Sequence, residues 1–134
     1  MLISEALTHA AALTGQAMPA DAVRWLSELD GRLALELGRP GTPTPYDPTA
    51  DASKALLVPF PWDGLYVHHL AAQTYFANGE YDRYANERVM SEQTLRAWRH
   101  YLRRTGLLPD LPGAGDPAPA AAETADAPGA GGGA

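Results

Sequence analysis

The chain is predicted to be all-α: a small bundle of about four helices with a long Pro-rich loop or arm and a disordered C-terminal tail. Three observations predict it. Apolar residues recur at helical spacing in four separate segments. Each segment is followed by a glycine: Gly15, Gly38, Gly79 after Asn78, and Gly106. Beyond them, residues 112–134 hold 19 Ala, Gly or Pro in 23 positions and no large apolar side chain. Such a segment cannot offset the entropy of ordering its backbone. One helical domain is therefore expected over residues 1–111 and a flexible acidic tail over 112–134.

The first helix is expected over residues 4–14, with Ser4 as N-cap and Ile3, Leu7 and Ala11 at helical spacing. The second, over 20–37, has the clearest apolar stripe: Ala22, Leu26, Leu29, Leu33 and Leu37, flanked by Trp25. Arg24, Glu28, Arg32 and Glu36 alternate in charge at i, i+4 on it. That ladder fits a solvated face or a subunit contact.

Residues 38–60 contain Pro40, Pro43, Pro45, Pro48 and Pro59, with Tyr46 and the run Ala55-Leu56-Leu57-Val58. A connection this long without regular structure is uncommon inside a domain. Two readings stay open. It is an arm lying along a neighbour, or a surface loop whose apolar run tucks back into the core.

The third helix is expected over 63–77, capped by Asp63 and approached through Pro59 and Pro61. Leu65, Ala72 and Phe76 would share one face, with Tyr66, Leu70 and Ala77 beside them. Asn78-Gly79 makes a break, because both residues tolerate positive φ. The fourth helix, over 80–105, carries Leu95, Trp98 and Leu102 as its apolar stripe, with Tyr84, Met90 and Tyr101 adding bulk. Trp98 and Tyr84 are expected in the core.

Composition excludes several functions. There is no cysteine, so disulfide scaffolds, cysteine zinc sites and thiol catalysis fall away. The net charge of −6 argues against a general nucleic-acid binder. Six of the ten basic residues lie between Arg83 and Arg104, which leaves room for a local DNA contact by Arg96, Arg99, Arg103 and Arg104. No apolar run is long enough for a bilayer, and the N-terminus lacks the basic start of a signal peptide. His9, His68, His69 and His100 show no metal-ligand spacing. Glu80, Asp82, Asp63 and Glu87 show no spacing that selects a catalytic pair, and no phosphate-binding or nucleophile motif occurs. The expectation is no enzyme, no metal and no cofactor. Tyr, Trp and Arg, the residues that dominate protein interfaces, are instead concentrated in the last two helices. The candidate interface residues are Tyr46, Leu56, Leu57, Trp62, Asp63, Tyr66, Glu80, Tyr81, Asn86, Arg99, Arg103 and Arg104.

Three strings occur in order: Arg24-Trp25-Leu26-Ser27-Glu28-Leu29-Asp30-Gly31, then Pro61-Trp62-Asp63-Gly64-Leu65-Tyr66, then Asn78-Gly79-Glu80 with Tyr84-Ala85-Asn86. Their order and spacing over about residues 1–106 resemble the head–tail connector (adaptor) proteins of tailed phages. Trp62 stands where that family usually has Tyr, Ala85 replaces the first Asn of a pair, and Met90-Ser91 stands where Phe-Asn is common. The resemblance implies an α-helical adaptor in the virion neck, made in the host cytoplasm and assembled as a ring, typically a dodecamer, beneath the portal protein. It implies a second partner, the next neck or tail protein, and a role lining or sealing the DNA channel. The alternative is a phage helical protein-interaction module that never enters the virion.

Overall fold

A computed structural model describes residues 1–107. It contains four helices: α1 (Ile3–Thr14), α2 (Ala22–Glu36), α3 (Leu65–Ala77) and α4 (Tyr81–Arg104). The described residues form no strand beyond a single antiparallel bridge between Leu2 and Ala55. The tail expected over 112–134 lies outside the described residues.

Helix α3 is the hub. Leu65, Tyr66, Leu70, Ala71, Ala72, Thr74 and Tyr75 are all buried, so it is apolar around most of its circumference. A helix of that kind must be covered on several sides. α4 covers it most extensively, and α1 and α2 pack on other faces. α2 contributes Ala22, Leu26, Leu29 and Leu33 of the stripe its spacing predicted, with Leu37 half-buried at its end and Val23 buried beside them. α4 is amphipathic and buries only Ser91, Trp98 and Leu102.

The starts of α1 and α3 differ from expectation because segments distant in sequence supply or claim the capping groups. α1 begins at Ile3 without a Ser4 cap. Its free N–H groups are met by backbone carbonyls, Ile3 N–H donating to Lys54 at 3.0 Å and Ser4 N–H to Ala52 at 2.9 Å. The Glu5 carboxylate accepts from Leu2 N–H at 2.8 Å. α3 begins at Leu65 rather than Asp63, whose Oδ2 instead lies 3.2 Å from the Met1 ammonium.

The same contacts decide the fate of the Pro-rich segment. It does not project. Leu56 is 6% exposed and Val58 fully buried, both packed in the core cluster with Ile3, Leu26 and Tyr66. Asp47 starts a tight turn at its outer bend, where Oδ1 accepts from Ala50 N–H at 2.7 Å and Thr49 N–H at 2.8 Å. These two bonds hold the Asp47 carboxyl below the usual carboxylate range. The tucked-back reading of residues 38–60 is therefore the one observed, and the free arm is corrected.

Two further expectations change. Phe76, at the last turn of α3, is 53% exposed and packs on one side against Tyr81 and Tyr84 of α4. Met90 is exposed on the outer side of α4, and Tyr84 is half-buried. Asn78-Gly79 does form the break, with Gly79 at φ 78, where a side chain would be strained.

Because Leu56 belongs to the core, Leu56→Ala is expected to destabilise the isolated protein by about 2 kcal/mol or more in urea denaturation. An arm lying on a neighbour would leave that value unchanged.

Candidate protein-interaction surface

Asp30 explains why several candidate residues are unavailable to partners. It lies on the buried side of α2, one turn after Leu26, and is 5% exposed. Its Oδ2 accepts from the Tyr46 hydroxyl at 2.6 Å and from Leu57 N–H at 3.0 Å. Its Oδ1 accepts from the Tyr66 hydroxyl. Tyr66 in turn accepts from Val58 N–H at 2.8 Å. Ser27, one turn before Asp30 on α2, accepts Tyr46 N–H at 2.9 Å. Gly31 leaves room for Pro43, whose Cβ would stand 3.4 Å from a side chain placed there. Burial, reinforced by the neighbouring Asp30 charge and hydrogen bond, raises both the Tyr46 and Tyr66 hydroxyls above the ordinary tyrosine range.

Leu56 and Tyr66 are therefore internal, which corrects their placement at an interface, and Tyr46 is half-buried with its hydroxyl committed to Asp30. Arg99 is also engaged within the chain: it grips Glu36 with two hydrogen bonds, at 2.6 and 2.8 Å, tying α4 to α2. The charge ladder on α2 thus ends in an intramolecular pair, while Arg24 and Glu28 lie 3.9 Å apart on the wet face. Asp63 is held by the Met1 ammonium. His68 Nδ1 lies 2.6 Å from Glu87 Oε1, bridging α3 and α4.

The remaining candidates fall at two places. At the C-terminal end of α4 is an apolar groove of about 500 Å³, into which Leu57 and Trp62 project beside Trp98, Tyr101 and Leu102. Trp62 stacks on Tyr101 with ring centroids 4.7 Å apart, and the Arg104 guanidinium lies 5.7 Å from the Tyr101 ring centre. Arg103 shares that last turn. Phe60, held between two prolines, is 83% exposed at the rim, and Leu107 is 63% exposed. At the other end of α4, Tyr81 packs edge-on to Phe76, with centroids 5.5 Å apart, and Tyr84 lies 5.1 Å from Phe76. Glu80 is beside them and pairs with Arg83 at 3.5 Å. Asn86 is exposed in the second turn of α4.

Sequence reasoning did not single out Asp30, Phe60 or Leu107. A signal existed for two of them. Asp30 falls at a buried position of an otherwise apolar stripe, and Phe60 is an aromatic flanked by prolines.

A second cleft, of about 290 Å³, lies at the seam of α2, α3 and α4, lined by Arg32, His69, Gln73, Tyr84 and Arg88 among others. Burial, and then the positive charge of Arg32, push the His69 imidazole down from its ordinary 6.5 to about 4. His69 is thus neutral at pH 7. Among the described residues, no three His, Cys, Asp or Glu side chains gather as a metal set. No described helix is long and apolar enough to cross a membrane.

Comparison with protein-family models, curated proteins and solved structures yields no match. In the fold, Ser27 and Asp30 of the Arg24–Gly31 stretch share one hydrogen-bonded cluster with Tyr46 and with Tyr66 of the Pro61–Tyr66 stretch.

Tyr66→Phe removes a donor to Asp30 and orphans the Val58 N–H, so a loss of about 1–3 kcal/mol is expected in urea unfolding. Asp30→Ala orphans two phenols and a backbone N–H at once. It is expected to cost about 3 kcal/mol or more, a large share of a small domain's total.

His69 supplies a pH test. Its folded-state value is depressed, so only the unfolded chain takes up the proton between pH 6.5 and about 4. Its contribution is complete above pH 6.5 and declines as pH falls toward 4, by on the order of 3 kcal/mol. His69→Gln should abolish that share of the acid sensitivity, read as urea midpoints at pH 7 and pH 4.5. Equal losses in the two proteins would remove His69 as the cause.

Proposed function

We propose that the chain is a structural adaptor of a phage neck. It would form a ring under the portal, join it to the next neck or tail protein, and line or seal the DNA channel. The observation that carries this reading is the ordered set of three strings over residues 1–106. The surface supports it in kind. Exposed Phe60, Tyr81 and Leu107, with Arg103 and Arg104, form a chemistry suited to protein contacts. Its place would be the virion neck, reached from the host cytoplasm during assembly, and the adaptor role asks for no catalytic group or cofactor.

The test is compositional. Particles of the phage encoding this chain are purified and their proteins identified by mass spectrometry, with the neck viewed by cryo-electron microscopy. The chain is expected in the particles and at the neck. Abundance in the infected lysate with absence from particles overturns the reading, and favours a helical interaction module that works outside the virion.

A further inference from the structure

Helix α4 ends in a turn that sets the direction of the chain beyond it. Gly106 adopts φ 74. Its N–H donates to the Arg103 carbonyl at 3.2 Å, and Leu107 N–H donates to the Leu102 carbonyl at 2.8 Å. This pair of bonds is the Schellman stop, in which a left-handed residue folds the chain back over the last turn of its own helix. Leu107 is thereby delivered to the wall of the apolar groove that Phe60, Trp62, Trp98 and Tyr101 line. The described residues end there, so the continuation of the chain starts at the groove.

The sequence of that continuation matches the groove. It reads Leu108-Pro109-Asp110-Leu111-Pro112, and no large apolar residue follows Leu111. Each of the two leucines precedes a proline, which steers its backbone toward extended or polyproline conformation. A polyproline helix has three residues per turn, so Leu108 and Leu111 would share one side and Asp110 would stand off it. Aromatic-lined grooves are receptors for segments of this kind. The charges agree as well. Arg39 lines the groove, and the Arg104 guanidinium lies 5.7 Å from the centre of the Tyr101 ring. Neither has an acidic partner among the described residues, and Asp110 is an acid one turn of polyproline chain away from Leu107.

We propose that the groove is occupied by the chain's own residues 108–111, with both leucines against the aromatic rings and Asp110 toward the basic rim. The same copy is favoured over a second one because Leu107 already stands on the groove wall, which holds the leucines there at high effective concentration. The groove is then closed by its own chain, and a partner that uses this end of α4 must displace the segment or build on it. The inference goes beyond the adaptor reading and does not rest on it. It is measured on the isolated chain, so a protein found in virions can fail this test and one absent from virions can pass it.

The test uses the full chain at dilute concentration in three variants: Leu108→Ser with Leu111→Ser, Phe60→Ser alone, and all three changes together. Urea midpoints and tryptophan emission are read. Trp62 and Trp98, two of the three tryptophans, line the groove, so uncovering it moves the emission to longer wavelength. Phe60 is 83% exposed, and on an open groove its loss would leave the midpoint unchanged. The expected result is a lower midpoint for the leucine variant and for Phe60→Ser, and a red shift for the leucine variant. The triple variant should fall no further than the leucine variant, because Phe60 has then already lost its cover. These values should hold at every dilution.

Three outcomes overturn the proposal. One is a leucine variant with unchanged midpoint and emission. Another is full additivity of the leucine and Phe60 changes, which means that they act at separate places. The third is a stabilisation that disappears on dilution together with a dimer seen by sedimentation, which assigns the segment in the groove to a second copy.

Discussion

A single buried carboxylate organises this molecule. Asp30 on α2 receives hydrogen bonds from Tyr46, Leu57 and Tyr66, so it joins α2, the proline-rich connection and α3 at one point. The energetics are asymmetric. Each bond contributes modestly against water, but a donor stranded in the core costs far more than the bond supplies. The cluster therefore acts less as glue than as a constraint on arrangement. Any register of α2 against α3 that moves Tyr66 away leaves Asp30, Tyr66 and Val58 N–H unsatisfied together.

That constraint explains how 28 residues between α2 and α3 remain ordered without regular structure. Buried backbone donors need partners, and no helix or sheet supplies them here. Leu57 and Val58 donate to the Asp30 and Tyr66 side chains, and Tyr46 donates to Ser27. The connection returns the favour at α1, where its carbonyls receive Ile3 and Ser4 N–H. Leu56 and Val58 then add apolar area that a four-helix domain of this size needs, since small domains bury a limited share of their surface.

The division of labour among the aromatic residues follows. Tyrosines within reach of Asp30 are consumed inside. At the ends of α4, Tyr81 is exposed and Tyr84 and Tyr101 are half-buried, and Arg99 is withdrawn from the basic end by Glu36. What remains on the surface is an aromatic cluster at the start of α4 and an apolar groove at its end.

Much of the architecture was legible in the chain. Period, glycine stops and the Asn78-Gly79 break act through neighbours a few residues apart, and they place all four helices within a residue or two. The stripe on α2 and the burial of Trp98 follow from the same local rule. Which tyrosines are structural was not legible. α3 is apolar around most of its circumference, so its periodicity selects no inner face, and Tyr66 looks like Tyr81 in the sequence. Their difference comes from a partner 36 residues away from Tyr66 and from the return of the proline-rich segment. Local spacing determined the helices and their order. Only the tertiary structure decided which polar groups are spent on holding them together and which are left for a neighbour, because hydrogen-bond satisfaction in a core is settled between segments distant in sequence.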